Sequence, residues 1–254
     1  MFTRQDADAV VAVASRAPSI HNTQPWRWRL EPDALVLLAD FSRQLGVADP
    51  DGHSLRISCG AALALTELAL RAQGCQVELD RLPDGSRRHG GTAGSADTAG
   101  SADTAGTANT DESGSQVLAR FRVTGRGEPD ADAVRRVDAA LGRFSDRRPF
   151  RSEPVSETDR EALRDAGTVS DVNVDFPVRE EQRVDLAVAV SWADRVERDD
   201  AAYKAEMRRW VRDSDVHADG VVVTAVPRVS SDHPRRSDVP LRDFEIGMRP
   251  PARR

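Results

Sequence analysis

Two prolines bracket a short polar segment near the start of the chain, and they constrain everything around it. Pro18 and Pro25 fix their own φ angles and push the residue before each of them towards extended backbone, so a preceding helix has to end here. Trp26 and Trp28 then alternate with arginines, a period of two that is typical of a strand. The segment 17–28 therefore predicts a helix, a rigid polar loop and a strand in succession.

The polar side chains of this loop suit the edge of a conjugated heterocycle. Ser19, Asn22, Thr23 and Gln24 carry hydroxyl and carboxamide groups that both donate and accept hydrogen bonds. An isoalloxazine ring presents alternating nitrogen and carbonyl groups along one edge, and side-chain amides can serve both kinds. The same residue types also favour an ordinary turn at the end of a helix, so residue types alone leave both interpretations open.

Composition excludes several classes of protein. The net charge of −6 over 254 residues argues against a general nucleic-acid binder. No apolar run approaches the ~20 residues of a membrane span, and no secretory leader is evident, so we expect a cytoplasmic protein without a membrane segment. The two cysteines, Cys59 and Cys75, have no metal-ligand spacing, so no metal site is predicted. Cys59 lies in an apolar run and is interpreted as a core residue.

Hydrophobic periodicity predicts an α+β fold with a mostly antiparallel sheet and helices packed on it. Helices are expected at 5–15, 54–73, 130–141, 156–166, 180–196 and 201–210. Strands are expected at 26–30, 34–39, 75–82, 116–123 and 172–176. The first two strands are joined by a tight turn, which predicts a hairpin. The helix at 54–73 is small and apolar nearly all round, so we expect a buried central helix.

A low-complexity segment separates two of the predicted strands. The sequence Thr-Ala-Gly-Ser-Ala-Asp begins at Thr92 and is repeated from Thr98. A period of six without bulky residues cannot bury enough surface to order itself. The range 86–115 is therefore interpreted as a disordered insertion at the tip of a hairpin, where insertions are tolerated.

A second informative stretch runs from residue 143 to residue 150 and concentrates arginines. Arg147 and Arg148 lie next to each other there, and Arg143 is close by. Forked guanidinium groups grip phosphate well, so the stretch suits an anion site. An arginine-rich surface turn is the other interpretation.

Three stretches together resemble one branch of the FMN-dependent nitroreductase superfamily, the Acg-type nitroreductases. The motif Pro-Ser-x-x-Asn-x-Gln-Pro-Trp at residues 18–26 resembles a flavin-contacting loop. The runs 51–63 and 143–150 fit the same branch, and the runs 207–211 and 239–244 look like that family as well. The resemblance touches most of the chain outside the insertion.

The resemblance implies a nitroreductase-like fold built from two pseudo-repeated halves, here 1–127 and 128–254. One chain would then mimic a dimer, although a homodimer is the other possibility. FMN would be the cofactor and NAD(P)H the co-substrate, with a small-molecule substrate. By this similarity, the FMN-binding residues are Pro18, Ser19, Ile20, His21, Asn22, Thr23 and Gln24, with Arg147 and Arg148 at the phosphate.

The resemblance also implies an activity, to which there are two alternatives. Ordinary members pass hydride from NAD(P)H through flavin to nitroaromatic or quinone-like acceptors, and no acid–base side chain is obligatory for that chemistry. Acg-type chains usually continue beyond the region that matches residues 239–244, so the chain is expected to be shortened at its carboxyl end. A non-catalytic flavin-binding or sequestering protein, and a degenerate member without flavin, are the alternatives.

Overall fold

In a computed structural model of the chain, the described residues are 2–81, 115–146, 153–168, 172–214, 216 and 218–225. The chain divides into two compact units, Met1–Phe144 and Ser145–Arg254. The predicted boundary between two nitroreductase-like halves, at residues 127 and 128, stays a prediction. Each unit is described by itself below.

Helix α1 spans Arg4–Ala14 and leads into the polar loop. Thr3 accepts a hydrogen bond from the backbone N–H of Asp6, whose carboxylate accepts one from the Thr3 backbone in return. This reciprocal capping box satisfies two helix-end donors and fixes where the helix begins. The inward side of α1 buries Ala7, Val10 and Ala14, as the period of the sequence predicts.

The first unit is built on a four-stranded antiparallel sheet, which confirms the α+β class. The strands are β1 (Trp26–Leu30), β2 (Ala34–Ala39), β3 (Cys75–Arg81) and β4 (Gln116–Arg126). Their order across the sheet is β1-β2-β4-β3, and every neighbouring pair is antiparallel. The predicted hairpin is confirmed, with Trp26 opposite Ala39 and Leu30 opposite Leu35.

Strand β2 lies inside the sheet and is buried on both faces, as all six of its residues are buried. Leu35 and Leu37 point to the main core, which α1 and helix α2 (His53–Ala72) share. Val36 and Leu38 point to the other face and pack with Val117 of β4 in a smaller cluster. A strand buried on both faces reads as a continuous apolar run, which is the pattern seen here.

Helix α2 packs on α1 and on the sheet. Asp49 caps its start, because its two carboxylate oxygens accept hydrogen bonds from the backbone N–H groups of Ser54 and Leu55, both at 2.9 Å. One side of the helix is buried, from Leu55 to Leu70, whereas Ile57 on another side is 61% exposed. Burial of α2 on all sides is therefore not confirmed and stays a prediction.

The end of α2 is joined tightly to the end of β4. Gly74 follows the helix with a left-handed φ of 71°, as the sequence predicts for a glycine in this place. Its carbonyl accepts a hydrogen bond of 2.8 Å from the N–H of Gly127. Helix α3 (Ala131–Gly142) then packs against α2 within the first unit, and Asp130 both caps it and pairs with Arg71.

Among its described residues, the second unit has three α-helices: α4 (Glu157–Gly167), α5 (Glu180–Asp199) and α6 (Ala201–Arg209). Two short strands, β5 (Val211–Arg212) and β6 (Val221–Val222), pair in parallel. The predicted strand at 172–176 is wrong, because only an isolated bridge at Val172 forms there. The alternation of apolar and polar residues predicts a strand with one inward and one outward face. A strand also needs a neighbour with which to form its hydrogen-bond ladder.

The low-complexity range falls almost wholly outside the described residues, as does the end of the chain from 226 onwards. Ser115 is described, and it is 7% exposed and directly precedes β4. Ser115 thus lies next to the sheet of the first unit. The insertion itself stays a prediction.

Candidate functional site

The polar loop between α1 and β1 has an unusual backbone. It begins with a single 3₁₀ turn, Ile20–Asn22. Three non-glycine residues adopt left-handed φ angles: His21 at 46°, Asn22 at 52° and Gln24 at 48°. A residue with a Cβ resists this region, at a cost of about 1–3 kcal/mol each. The surrounding structure must therefore impose the shape of the loop, and strain of this kind concentrates at functional sites.

Helix α2 holds the loop from one side. The hydroxyl of Ser58 accepts a hydrogen bond of 3.2 Å from the N–H of Ile20 and donates one of 2.7 Å to the carbonyl of Ser54. At the next residue of α2, the Cys59 thiol donates to the carbonyl of Pro25 at 3.1 Å. Two adjacent side chains of α2 thus hold the beginning and the end of the loop.

A second clamp acts at the middle of the loop. Arg43, just after β2, donates a hydrogen bond of 3.0 Å from its guanidinium to the carbonyl of Thr23. Its Nε lies 3.5 Å from a carboxylate oxygen of Asp40, which is 4% exposed. The N–H of Asp40 in turn donates to the carbonyl of Pro25 at 3.0 Å. The loop therefore has backbone carbonyls fixed on both sides of Gln24.

Asp40 is kept ionised at the centre of this clamp. Burial by itself would raise the pKa of the Asp40 carboxyl, but the hydrogen bonds from Ser42 and Arg27 outweigh burial and hold that pKa below its usual value. The guanidinium of Arg27 donates to Asp40 at 2.9 Å, and the Ser42 N–H donates at 3.1 Å. A buried carboxylate with this many donors is a rigid anchor, since no partner can move without leaving charge unsatisfied.

Side-chain hydrogen bonds connect residues within the loop. The N–H of Gln24 donates to the Ser19 hydroxyl at 3.0 Å, and the Gln24 carboxamide donates to that of Asn22 at 3.4 Å. The hydroxyl oxygen of Thr23 is buried and has no hydrogen-bond partner among the described residues. A buried unpaired hydroxyl costs stability, so this atom adds to the strain of the loop.

The seven predicted loop residues are all described, and their exposure differs. Pro18 is exposed, Thr23 is buried, and Ser19, Ile20, His21, Asn22 and Gln24 are half-buried. Arg147 and Arg148 lie outside the described residues, so their position relative to the loop stays a prediction. Neither Asn22 nor Gln24 projects fully into solvent, as a residue of an ordinary surface turn would.

Sequence reasoning missed the residues that hold the loop. Ser58 stands out as a rare polar residue in the apolar run of α2, and that contrast could have indicated a hydrogen-bonding role. Arg43 and Asp40 carry no such mark, because charged residues are common in this chain. Their importance depends on a turn that brings residue 43 to residue 23, which local sequence does not reveal.

Among the described residues near the loop, there is neither a reactive thiol nor a cluster of metal ligands. Burial, with a smaller contribution from the charge of Asp40, raises the pKa of the Cys59 thiol to about 12, so it stays protonated. This confirms the interpretation of Cys59 as a packed core residue. Over the described residues, no three or more His, Cys, Asp or Glu side chains are grouped to hold a metal ion. In the same ranges, no helix has the length and apolar character needed to cross a bilayer.

No family model matches the chain, but individual proteins do. A Mycobacterium tuberculosis protein named "Putative NAD(P)H nitroreductase acg" is 30% identical over 210 residues, which is 83% of this chain and 55% of that protein. "Uncharacterized protein Rv3127" of the same species is 30% identical over 204 residues, 79% of this chain and 51% of that protein. This chain thus spans about half the length of these relatives.

A third relative matches more strongly over a shorter stretch. "Putative NAD(P)H nitroreductase Rv3131" of Mycobacterium tuberculosis is 51% identical over 75 residues, which is 30% of this chain and 22% of that protein. Two of these three relatives thus carry the same type of name, and the long matches run well beyond one motif.

Proposed function

Because the chain belongs to the Acg-type nitroreductase family, we propose that it binds FMN and acts as an NAD(P)H-dependent oxidoreductase of the nitroreductase type. The acceptors would be nitroaromatic or quinone-like small molecules. The names of two of the relatives support the NAD(P)H and nitroreductase parts of the proposal. The FMN part rests on the loop of this chain.

The observation that carries the proposal is the clamped, left-handed loop at residues 18–25. Its backbone is held by Ser58 and Arg43, so the side chains of Asn22 and Gln24 start from a fixed frame. Both side chains are half-buried carboxamides, which can both donate and accept hydrogen bonds. Ser19 of the same loop adds a half-buried hydroxyl. These groups fit the polar edge of a flavin ring.

Each part of the chain has a separate task in this proposal. Asn22 and Gln24 would orient the ring by hydrogen bonds to its edge, and Ser19 would line the neighbouring polar part. Arg147 and Arg148 would bind the phosphate, since paired guanidinium groups match phosphate oxygens. FMN, when bound, supplies the hydride chemistry that amino-acid side chains cannot. The rigid loop lowers the entropy lost on binding.

The proposed second half, 128–254, would complete the arrangement of a two-halved nitroreductase within one chain. In that arrangement Arg147 and Arg148 come from the second half and the amide loop comes from the first. One chain would then carry groups for both ends of the cofactor.

The proposal is tested by titrating FMN into the purified full chain and following the quenching of flavin fluorescence. We expect saturable binding at micromolar FMN, and oxidation of NADH or NADPH when a nitroaromatic acceptor is added. Replacing both carboxamides, Asn22→Ala with Gln24→Ala, should weaken FMN binding at least about tenfold, the loss of roughly 1.4 kcal/mol that two hydrogen bonds provide. Gln5→Ala is the matched control, because it removes an exposed carboxamide from α1.

Three outcomes separate the alternatives. Bound FMN that dithionite reduces, but NADH and NADPH do not, would identify a non-catalytic flavin binder. A folded chain without any saturable FMN signal would overturn the proposal altogether. Equal FMN affinity in the double variant and in the Gln5→Ala control would move the flavin away from this loop.

A further inference from the structure

Helix α5 of the second unit is long and yet has no buried residue. It spans Glu180–Asp199, 20 residues, and each of them is at most half-buried. Val188 is 64% exposed and Trp192 is 70% exposed. Helices in proteins gain most of their stability from packing an apolar face, so a helix of this length indicates a partner for that face.

Three of the five large exposed apolar residues of α5, Val184, Val188 and Trp192, lie on one face, which we call the α5 face; Leu186 and Val196 are exposed outside it. It is lined by Glu180, Arg183, Val184, Ala187, Val188, Ser191, Trp192 and Arg195, around a groove of about 590 Å³. These residues are spaced alternately by three and one, which places them in two adjacent rows along the helix. Small residues, Ala187 and Ser191, lie in one row, and larger ones, Val184, Val188 and Trp192, lie in the other. Such ridges and grooves suit packing against another helix.

The α5 face is symmetric along its length. Its residues are distributed evenly about the midpoint between Ala187 and Val188. A second α5 helix laid antiparallel on the face, centred on this midpoint, brings Val184 level with Ser191 of the other helix. It also brings Glu180 of each helix level with Arg195 of the other helix, so that one oppositely charged pair lies at each end. The face is therefore complementary to itself in both shape and charge, as an interface with two-fold symmetry requires.

We propose that the α5 face binds the α5 face of a second copy of this chain, with the two helices antiparallel. The centre of the contact is apolar and the two ends are paired charges of opposite sign, which is the usual anatomy of a protein interface. Charge at the ends fixes the antiparallel direction, since a parallel arrangement places Glu180 beside Glu180 and Arg195 beside Arg195. This proposal does not depend on flavin binding.

Sedimentation velocity of the full chain tests the proposal. Between about 1 and 100 µM we expect a monomer–dimer equilibrium in the unmodified protein. Val188→Glu places two like charges at the centre of the apolar contact and should raise the dimer dissociation constant at least about tenfold. Leu163→Glu is the matched control: it adds the same charge on α4, where Leu163 is 56% exposed, and should leave the equilibrium unchanged.

A charge exchange separates this interface from any other. Glu180→Arg alone and Arg195→Glu alone should each weaken the dimer, because like charges then meet at both ends. The double variant should recover most of the lost affinity, since the pairs are restored with exchanged signs. Circular dichroism of each variant checks that α5 still forms, because Glu180 also stabilises the first turn of the helix.

Two results would overturn the proposal. One is a protein that stays monomeric at 100 µM, which would indicate that another segment of the same chain covers the α5 face. The other is a dimer whose dissociation constant does not change in Val188→Glu or in the single charge variants, which would place the contact elsewhere on the chain.

Discussion

The guanidinium of Arg43 donates a hydrogen bond of 3.0 Å to the backbone carbonyl of Thr23, across twenty positions of sequence. The same side chain lies beside the buried carboxylate of Asp40, which also accepts from Arg27. The shape of the candidate FMN loop thus depends on an ion cluster at the end of β2. Several residues that contact no ligand should therefore influence ligand binding.

Arg43→Gln tests this dependence. The variant loses the hydrogen bond to Thr23 and one cationic neighbour of Asp40, so we expect the free energy of unfolding to fall by about 1–2 kcal/mol. FMN affinity should fall as well, because the strained loop loses one of its restraints. Urea denaturation and an FMN titration measure the two effects.

Arg29→Gln is the control for that experiment. Arg29 is about as exposed as Arg43, but it pairs with Glu31, whose side chain is 21% exposed, whereas the Asp40 side chain is 5% exposed. Loss of Arg29 should therefore cost less than about 1 kcal/mol. A stability loss in Arg43→Gln no larger than in Arg29→Gln would show that the clamp does not restrain the loop.

The anchoring of α1 predicts a pH dependence of stability. Hydrogen bonds from Arg126 and from Thr3 lower the pKa of Asp6 from 3.8 to about 2. Since the pKa is lower in the folded state, the stabilisation is complete above about pH 4 and is lost as the pH falls to about 2. The difference in unfolding free energy between the unmodified protein and Asp6→Asn should shrink over that range. Asp8→Asn, at an exposed position of α1, should show only a small difference throughout.

Two glycines near α2 should respond to alanine in opposite ways. A Cβ at Gly74 would lie 2.3 Å from the carbonyl oxygen of Gly127, and φ there is 71°, so Gly74→Ala should destabilise the fold by more than about 2 kcal/mol. A Cβ at Gly60 meets nothing within 4 Å, so Gly60→Ala should stabilise α2 by about 0.5–1 kcal/mol. Equal effects in thermal unfolding would contradict this account of both sites.

The β3–β4 hairpin predicts that the low-complexity range can be removed. Arg81 of β3 lies opposite Ala119 of β4, so the two strands are already paired near the point where the range begins and ends. Replacing residues 86–113 by a four-residue turn should keep the circular dichroism spectrum. It should raise the unfolding free energy by up to about 2 kcal/mol, because a shorter loop loses less entropy on closure. Loss of folding would show that the range contributes to the core.

Local patterns predicted the elements of the first unit well. The cap at Thr3, the hairpin of β1 and β2 and the glycine after α2 each depend on residues close in sequence. The pairing of β2 with β4 is different, because it joins residues about 85 positions apart and leaves no local pattern. The left-handed angles at His21, Asn22 and Gln24 were also not predicted, since Asn and His favour such angles only weakly and Gln does not favour them. For that reason the polar loop could be predicted, but its strained shape and its clamp could not.

The backbone angles of these three left-handed residues depend on contacts outside the loop. Their angles are restrained by hydrogen bonds to Ser58 and Cys59 of α2 and to Arg43 after β2. A variant that loses these hydrogen bonds would let the loop relax to other backbone angles, and the side chains of Asn22 and Gln24 would then change direction. If the loop binds FMN as proposed, such a substitution, far from the loop in sequence, should weaken binding although Asn22 and Gln24 are unchanged.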